Sequence, residues 1–103
     1  MSPQSESDPR IAPRPEPQTR LEPMFRVIIH NDDVTPMDFV IIILERFFFI
    51  NQPESTDIMY EAHNRGAAYV QSLPKSEAQS RIGRAHFAAG LEGYPLRFTL
   101  EPE

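Results

Sequence analysis

The chain has 103 residues, ten Lys and Arg against fifteen Asp and Glu, and no cysteine. That length holds one small domain at most. A net charge of −5 without a basic stripe argues against a nucleic-acid partner, and the missing thiols exclude disulfides, thiolate zinc sites and cysteine nucleophiles.

Residues 1–23 differ in kind from the rest. Six of the eleven prolines fall there, at 3, 9, 13, 15, 17 and 23, and beyond Met1 and Ala12 the aliphatic residues are Ile11 and Leu21. Such a segment cannot bury enough apolar surface to offset its chain entropy, so a disordered extension with polyproline-II stretches is expected. No apolar run of a secretory signal follows Met1. Residues 24–103 form the folded domain. Within it, Phe39 to Ile50 is too short for a membrane span and is interrupted by Glu45 and Arg46, so no membrane association is expected.

Phe25 to His30 reads as a strand, with Phe25, Val27 and Ile29 on one face. Asn31, Asp32 and Asp33 end it with turn chemistry. Thr35, Pro36 and Asp38 then read as an N-cap, a proline at N1 and an acid at N3, close to a capping box. The helix they open should run from Pro36 to about Phe48, with Phe39, Val40, Ile43, Leu44 and Phe47 inward and Asp38 and Glu45 on the wet side. Ile42 and Phe49 do not fit that face. Either Phe49 passes the helix end and folds inward with Ile42 partly covered, or the two make an exposed contact patch.

Asn51-Gln52-Pro53-Glu54 is a second cap, opening a helix that carries Ile58, Met59, Ala62 and His63. It should stop at Asn64-Arg65-Gly66, where glycine supplies the left-handed cap. Ala67 to Gln71 is a second strand. Leu73-Pro74-Lys75 starts a third helix through about Ala89, with Ala78, Ile82, Ala85 and Ala89 inward and Gly90 and Gly93 at its end. Leu96 to Leu100 alternates as a final strand before Pro102. The order β-α-α-β-α-β implies an α+β domain, a three-stranded antiparallel sheet with three helices packed on one face.

Asn31, Asp32 and Asp33 precede the first helix, and Met59 and His63 lie one turn apart on the second. Two carboxylates and an imidazole are legitimate metal ligands. No second histidine stands at ligand spacing, however, since His30 is on a strand and His86 on the third helix, so no metal is expected. A carboxylate–histidine pair could also serve acid–base chemistry, but neither a nucleophile nor a glycine-rich anion cradle accompanies it. From the motif alone, an ordinary structural role, with Asp32 and Asp33 as turn residues and His63 as a helix histidine, is the leading reading.

A further use is ammonium capture. An α-amino group carries three donors and a positive charge. The Asn31 carbonyl, the Asp32 carboxylate and a neutral His63 ring nitrogen could accept them, each charge-assisted bond contributing roughly 1.5–3 kcal/mol. The first side chain of the bound peptide would enter between the helices, with Met37 and Val40 on one wall and Met59 and Ala62 on the other. Core packing is the usual role of such methionines.

The run N-D-D-x-T-P-M-x-F-V at Asn31 to Val40 is long and uncommon. It is followed by Leu44-Glu45-Arg46-Phe47-Phe48, Met59, His63, Gly66, Pro95-Leu96 and Thr99-Leu100-Glu101. Together these resemble ClpS, the bacterial adaptor of the Clp AAA+ protease, over roughly Phe25 to Glu101. The resemblance implies a cytoplasmic, monomeric, non-catalytic domain without cofactor. It would bind proteins whose first residue is Leu, Phe, Tyr or Trp and deliver these N-degron substrates to the ClpA unfoldase and ClpP.

It further implies that Asn31, Asp32 and His63 hold the amino group, and that Thr35, Met37, Val40, Met59, Ala62 and Leu96 line the side-chain pocket. Met37 would act as a gatekeeper against β-branched residues, and a mobile N-terminal extension would engage the unfoldase. Three departures stand out. Ala62 replaces the usual valine and should widen the pocket. The ATPase-docking start of the third helix, here Pro74 to Arg81, has lost two acids but keeps Glu77 and carries Arg81 for lysine. Ile42 is commonly acidic in relatives. The alternative is a ClpS-like scaffold or inhibitor that docks on an unfoldase without binding N-degrons; it would have no need of Asn31, Asp32 and His63 together.

Overall fold

The structure, a computed structural model, describes residues 22–103. The polyproline character and disorder expected of residues 1–21 therefore lie outside the described residues. The elements are β1 (Met24–His30), α1 (Met37–Phe48), α2 (Gln52–Arg65), β2 (Ala67–Pro74), α3 (Lys75–Leu91) and β3 (Arg97–Pro102).

Strand β1 is central, because it is the most apolar of the three and its Val27 and Ile29 are 0% and 1% exposed. It pairs antiparallel with β2 on one side and β3 on the other, giving the order β2-β1-β3. The β1–β3 register is regular, from Phe25 opposite Pro102 to His30 opposite Arg97. The β1–β2 register slips once: Gln71 faces Val27 and Tyr69 faces Ile28, which leaves Val70 as a bulge. The extra residue lets neighbouring Val70 and Gln71 both serve the helix side, against strict alternation. Val70 is buried, and the Gln71 side-chain amide donates to the Phe48 carbonyl at 3.2 Å.

All three helices pack on one face of the sheet. Helix α3 crosses all three strands, α2 lies against β2, and α1 rests on α2 and α3. Ala78, Ala85 and Ala89 are fully or almost fully buried, and their small side chains allow α3 to lie close to the strands. The larger volume comes from Ile43, Leu44 and Phe48 of α1, with the Phe48 and Phe98 rings 4.8 Å apart. Buried Ser55 donates its hydroxyl proton to the Ile50 carbonyl at 3.1 Å and so leaves no orphan polar group.

Several local expectations need correction. The capping box at Thr35 does not form, because Asp32 takes both the Thr35 N–H and its hydroxyl. Extended Pro36 becomes the N-cap residue and makes no side-chain cap bond. The buried face of α1 consists of Val40, Ile43, Leu44 and Phe48: of the five residues expected inward, Val40, Ile43 and Leu44 are buried, but Phe39 and Phe47 are only half-buried and Phe48 takes the inward place. Of the two alternatives for Phe49 and Ile42, the exposed one holds: Phe49 lies past the helix end and does not fold inward. It adopts φ 57, is 68% exposed, and stacks its ring beneath the Arg81 guanidinium, 4.8 Å from the centroid. Ile42, at 40%, is exposed as well.

Leu73 and Pro74 belong to β2, not to the third helix. Pro74 sits at the end of an edge strand, where a missing N–H breaks no ladder bond. Helix α3 runs past Ala89 and Gly90 to Leu91, and Gly93, at φ 77, turns the chain. Leu96 precedes β3, and Pro102 is inside it.

Glu22 and Pro23 are fastened to the start of α3. Pro74, its N-cap residue, offers no side-chain acceptor. Glu22 supplies one from 54 residues away, accepting from the Ser76 N–H and the Ser76 hydroxyl at 3.0 Å each, while the Pro23 carbonyl accepts from Lys75 N at 3.1 Å. Those bonds hold the Glu22 carboxyl below the usual carboxylate range.

Candidate functional site

The loop after β1 and the end of α2 are joined by one backbone contact. The Asn31 N–H donates to the Gly66 carbonyl at 2.9 Å, and the Gly66 N–H donates back to Ala62 at 2.8 Å. Gly66 can do this because it sits at φ 93, a left-handed conformation that favours glycine. The consequence is local and specific. His63, less than one turn before Gly66, is brought to the same rim as Asn31.

Between these segments lies a cleft of about 280 Å³. Asn31, Asp32 and Thr35 reach it from the loop, Met37 and Val40 from α1, Met59, Ala62 and His63 from α2, and Leu96 from the turn before β3. The structure thus gathers all nine residues singled out for the amino group and the side-chain pocket around one cavity. Val40, Met59, Ala62 and Leu96 are buried and form an apolar interior. Met37 is 42% exposed, and Asn31 and His63 are exposed at the polar edge. Ile29, His30, Asp33, Val34 and Pro36 complete the lining. Of these, Ile29, His30, Val34 and Pro36 were not singled out from the sequence as site residues; their adjacency to Asn31 and Thr35 in the chain was the available signal.

Asp32 is held in a fixed attitude. One carboxylate oxygen accepts from Val34 N at 2.8 Å and from Thr35 N at 2.7 Å, and the other accepts the Thr35 hydroxyl proton at 2.9 Å. Burial alone would raise its pKa. The three donated bonds outweigh burial and hold the carboxyl below its ordinary value. An ionised carboxylate has about four lone-pair sites, so the loop's donors leave about one for a ligand. The arrangement is suited to a cationic donor placed above an apolar interior.

The other expected residues lie elsewhere. Glu77 and Arg81 pair with each other on α3 at 2.8 Å, outside the cleft. Arg81 is mostly covered and extends to Gln71 Oε1 at 3.2 Å and to the Phe48 carbonyl at 3.4 Å, so it also caps α1. Among the described residues no three His, Asp or Glu side chains converge as a ligand set. No helix there is long and apolar enough to cross a membrane.

Comparison with known proteins gives a consistent result. The family model described as ATP-dependent Clp protease adaptor protein ClpS matches residues 20–99. The ClpS adapter protein of Desulfatibacillum aliphaticivorans is 38% identical over 93 residues, covering 90% of this chain and 89% of that protein. The ClpS adapter of Nitratidesulfovibrio vulgaris is 41% identical over 86 residues, covering 84% and 86%. Among solved structures, Agrobacterium tumefaciens ClpS2 bound to L-phenylalaninamide superposes with a TM-score of 0.76 at 32% identity, covering 79% of this chain and 98% of that one.

Proposed function

This chain belongs to the ClpS family of ATP-dependent Clp protease adaptors, and from that premise we propose that it captures proteins by a free amino terminus. The first residue would be Leu, Phe, Tyr or Trp, and the captured protein would pass to a ClpA-type unfoldase working with ClpP. The observation that carries this reading is the cleft itself, in which Asn31, Asp32 and His63 stand at the edge of an interior made by Val40, Met59, Ala62 and Leu96.

In this mechanism the α-ammonium takes the open lone pair of Asp32, the Asn31 side-chain oxygen and the lone pair of a neutral His63. The first side chain loses its water against Met59 and Leu96, which contributes roughly 25 cal/mol per Å² of apolar area buried. The cavity is at the small end of ligand pockets, whose range starts near about 300 Å³. It therefore suits one side chain with its amine rather than a long peptide segment. The chain's own residues bind and orient; no bond is made or broken. The phenylalaninamide carried by the Agrobacterium relative has the same two parts, an amine and an aromatic side chain.

A scaffold that docks on an unfoldase without taking a peptide would leave this cleft without a use. The test is a panel of fluorescent peptides differing only at residue one, each with a free and an acetylated amine. Free Phe and Leu peptides should bind and their acetylated forms should not. Equal binding of acetylated peptides would rule out ammonium capture.

A further inference from the structure

A second concavity lies on the other side of the helical layer, where α1 and α3 meet the surface. It encloses about 530 Å³ and is lined chiefly by Phe47, Gly83, Arg84, Phe87 and Leu91. Phe87 and Leu91 stand one turn apart and are 70% and 71% exposed. Large apolar side chains grouped in a groove mark an interaction surface. The degron cleft uses none of these residues.

We propose that the occupant of this groove is the chain's own proline-rich segment, residues 10–21. The first support is the place where that segment joins the fold. Glu22 and Pro23 are fixed to Ser76 and Lys75 in the first turn of α3. Ser76, Ser80, Gly83 and Phe87 follow one another along a single stripe of that helix, at steps of four, three and four residues. The segment therefore leaves the fold at the head of the groove.

The second support is reach. From Ser76 to Leu91 the helix rises about 22 Å at about 1.5 Å per residue. A proline-rich chain advances about 3.1 Å per residue, so about seven residues, Leu21 back to Pro15, cover that distance.

The third support is chemistry. Pro13, Pro15 and Pro17 recur at every second position, and proline-rich strands dock in aromatic-lined grooves because little chain entropy remains to be lost. Phe47 and Phe87 supply the aromatic surface. Gly83 has open space where a side chain would stand, which allows close backbone approach. A tether this short also holds the segment at an effective concentration in the millimolar range, so a weak contact suffices. The docked segment covers an apolar face, and it is displaced when an outside partner takes the groove.

The test exploits the absence of cysteine. Gln18→Cys in the full chain gives a unique attachment point for a nitroxide, read by amide line broadening in an isotope-labelled sample. Gly83, Arg84 and Phe87 should broaden several-fold more than Glu61 and Arg65 on α2. The effect should vanish in Phe87→Ser and, as an independent check, in Leu91→Ser, with the α2 signals unshifted. Even broadening across the helices, no broadening, or broadening that survives both substitutions would overturn the proposal. A second copy as occupant would show itself when spin-labelled chains without isotope broaden the same amides of unlabelled isotopic chains. That result would overturn it too.

Discussion

Asp32 and Thr35 work as a pair. The Thr35 hydroxyl donates to the carboxylate oxygen that the two loop N–H groups leave free, and so fixes the direction of the remaining lone pair. The resemblance alone gave Thr35 a place in the pocket lining; the geometry adds this positioning contact. Thr35→Val keeps the shape and removes the donor. It should weaken free-amine peptides by about 0.5–1.5 kcal/mol, roughly two- to tenfold, and Thr35→Ser should restore them, as read by fluorescence anisotropy. An unchanged affinity in Thr35→Val would show that the backbone donors alone orient Asp32. At this scale the lining of the cleft was legible in the sequence, because Asn31, Asp32, Met37 and Val40 fall within ten consecutive residues. The bond from Thr35 was not, since a threonine before a proline reads first as a helix cap.

Between elements, two contacts carry most of the design. Gly66 joins the end of α2 to the end of β1, and a Cβ there would meet no atom within 4 Å. Gly66→Ala should therefore lose only backbone energy, roughly 1–2 kcal/mol for a left-handed residue. In urea denaturation this is a lower midpoint at unchanged slope. The second contact joins α3 to β3, where the Phe98 N–H donates to His86 Nε2 at 3.0 Å. Burial, and then the positive charge of Arg97, push the His86 pKa down. Burial and Arg97 lower His30 as well, against the opposing pull of Glu101. The unfolded chain then binds protons more readily than the native one. This stability is complete above the ordinary histidine value of about 6.5 and is lost as pH falls through the lowered native value. His86→Gln keeps an acceptor oxygen and cannot titrate, so thermal melts should show a shallower decline below pH 6.5 than the parent. An equally steep decline would place the effect elsewhere. The order of elements was legible from caps and breakers such as Asn51, Pro53 and Gly66. The bulge at Val70 and the inward turn of Phe48 in place of Phe47 were not, and the exposure of Phe49 was only one of two alternatives. Each depends on a distant partner, Ile28, Phe98 or Arg81, that periodicity cannot supply.

For the molecule as a whole, the folded body and the N-terminal segment have separable tasks under the proposed function. Removing residues 2–20 leaves Glu22 and Pro23 at the start of α3 and leaves the cleft untouched. Peptide affinity should stay within about twofold, a difference of about 0.4 kcal/mol, while degradation of a reporter beginning with Phe or Leu should stop when unfoldase and protease are supplied. Continued degradation would make the segment a spacer. The hydrogen bond between Asn31 and Gly66 also bears on how little contact such an adaptor requires. Because this bond already joins the two sides of the cavity, a chain end captured as proposed would meet a site formed in advance by the described residues. The ordering cost that usually erodes affinity was met when the domain folded. Under the proposed function, preorganisation of this kind would let a single residue, with its amine, mark a whole protein.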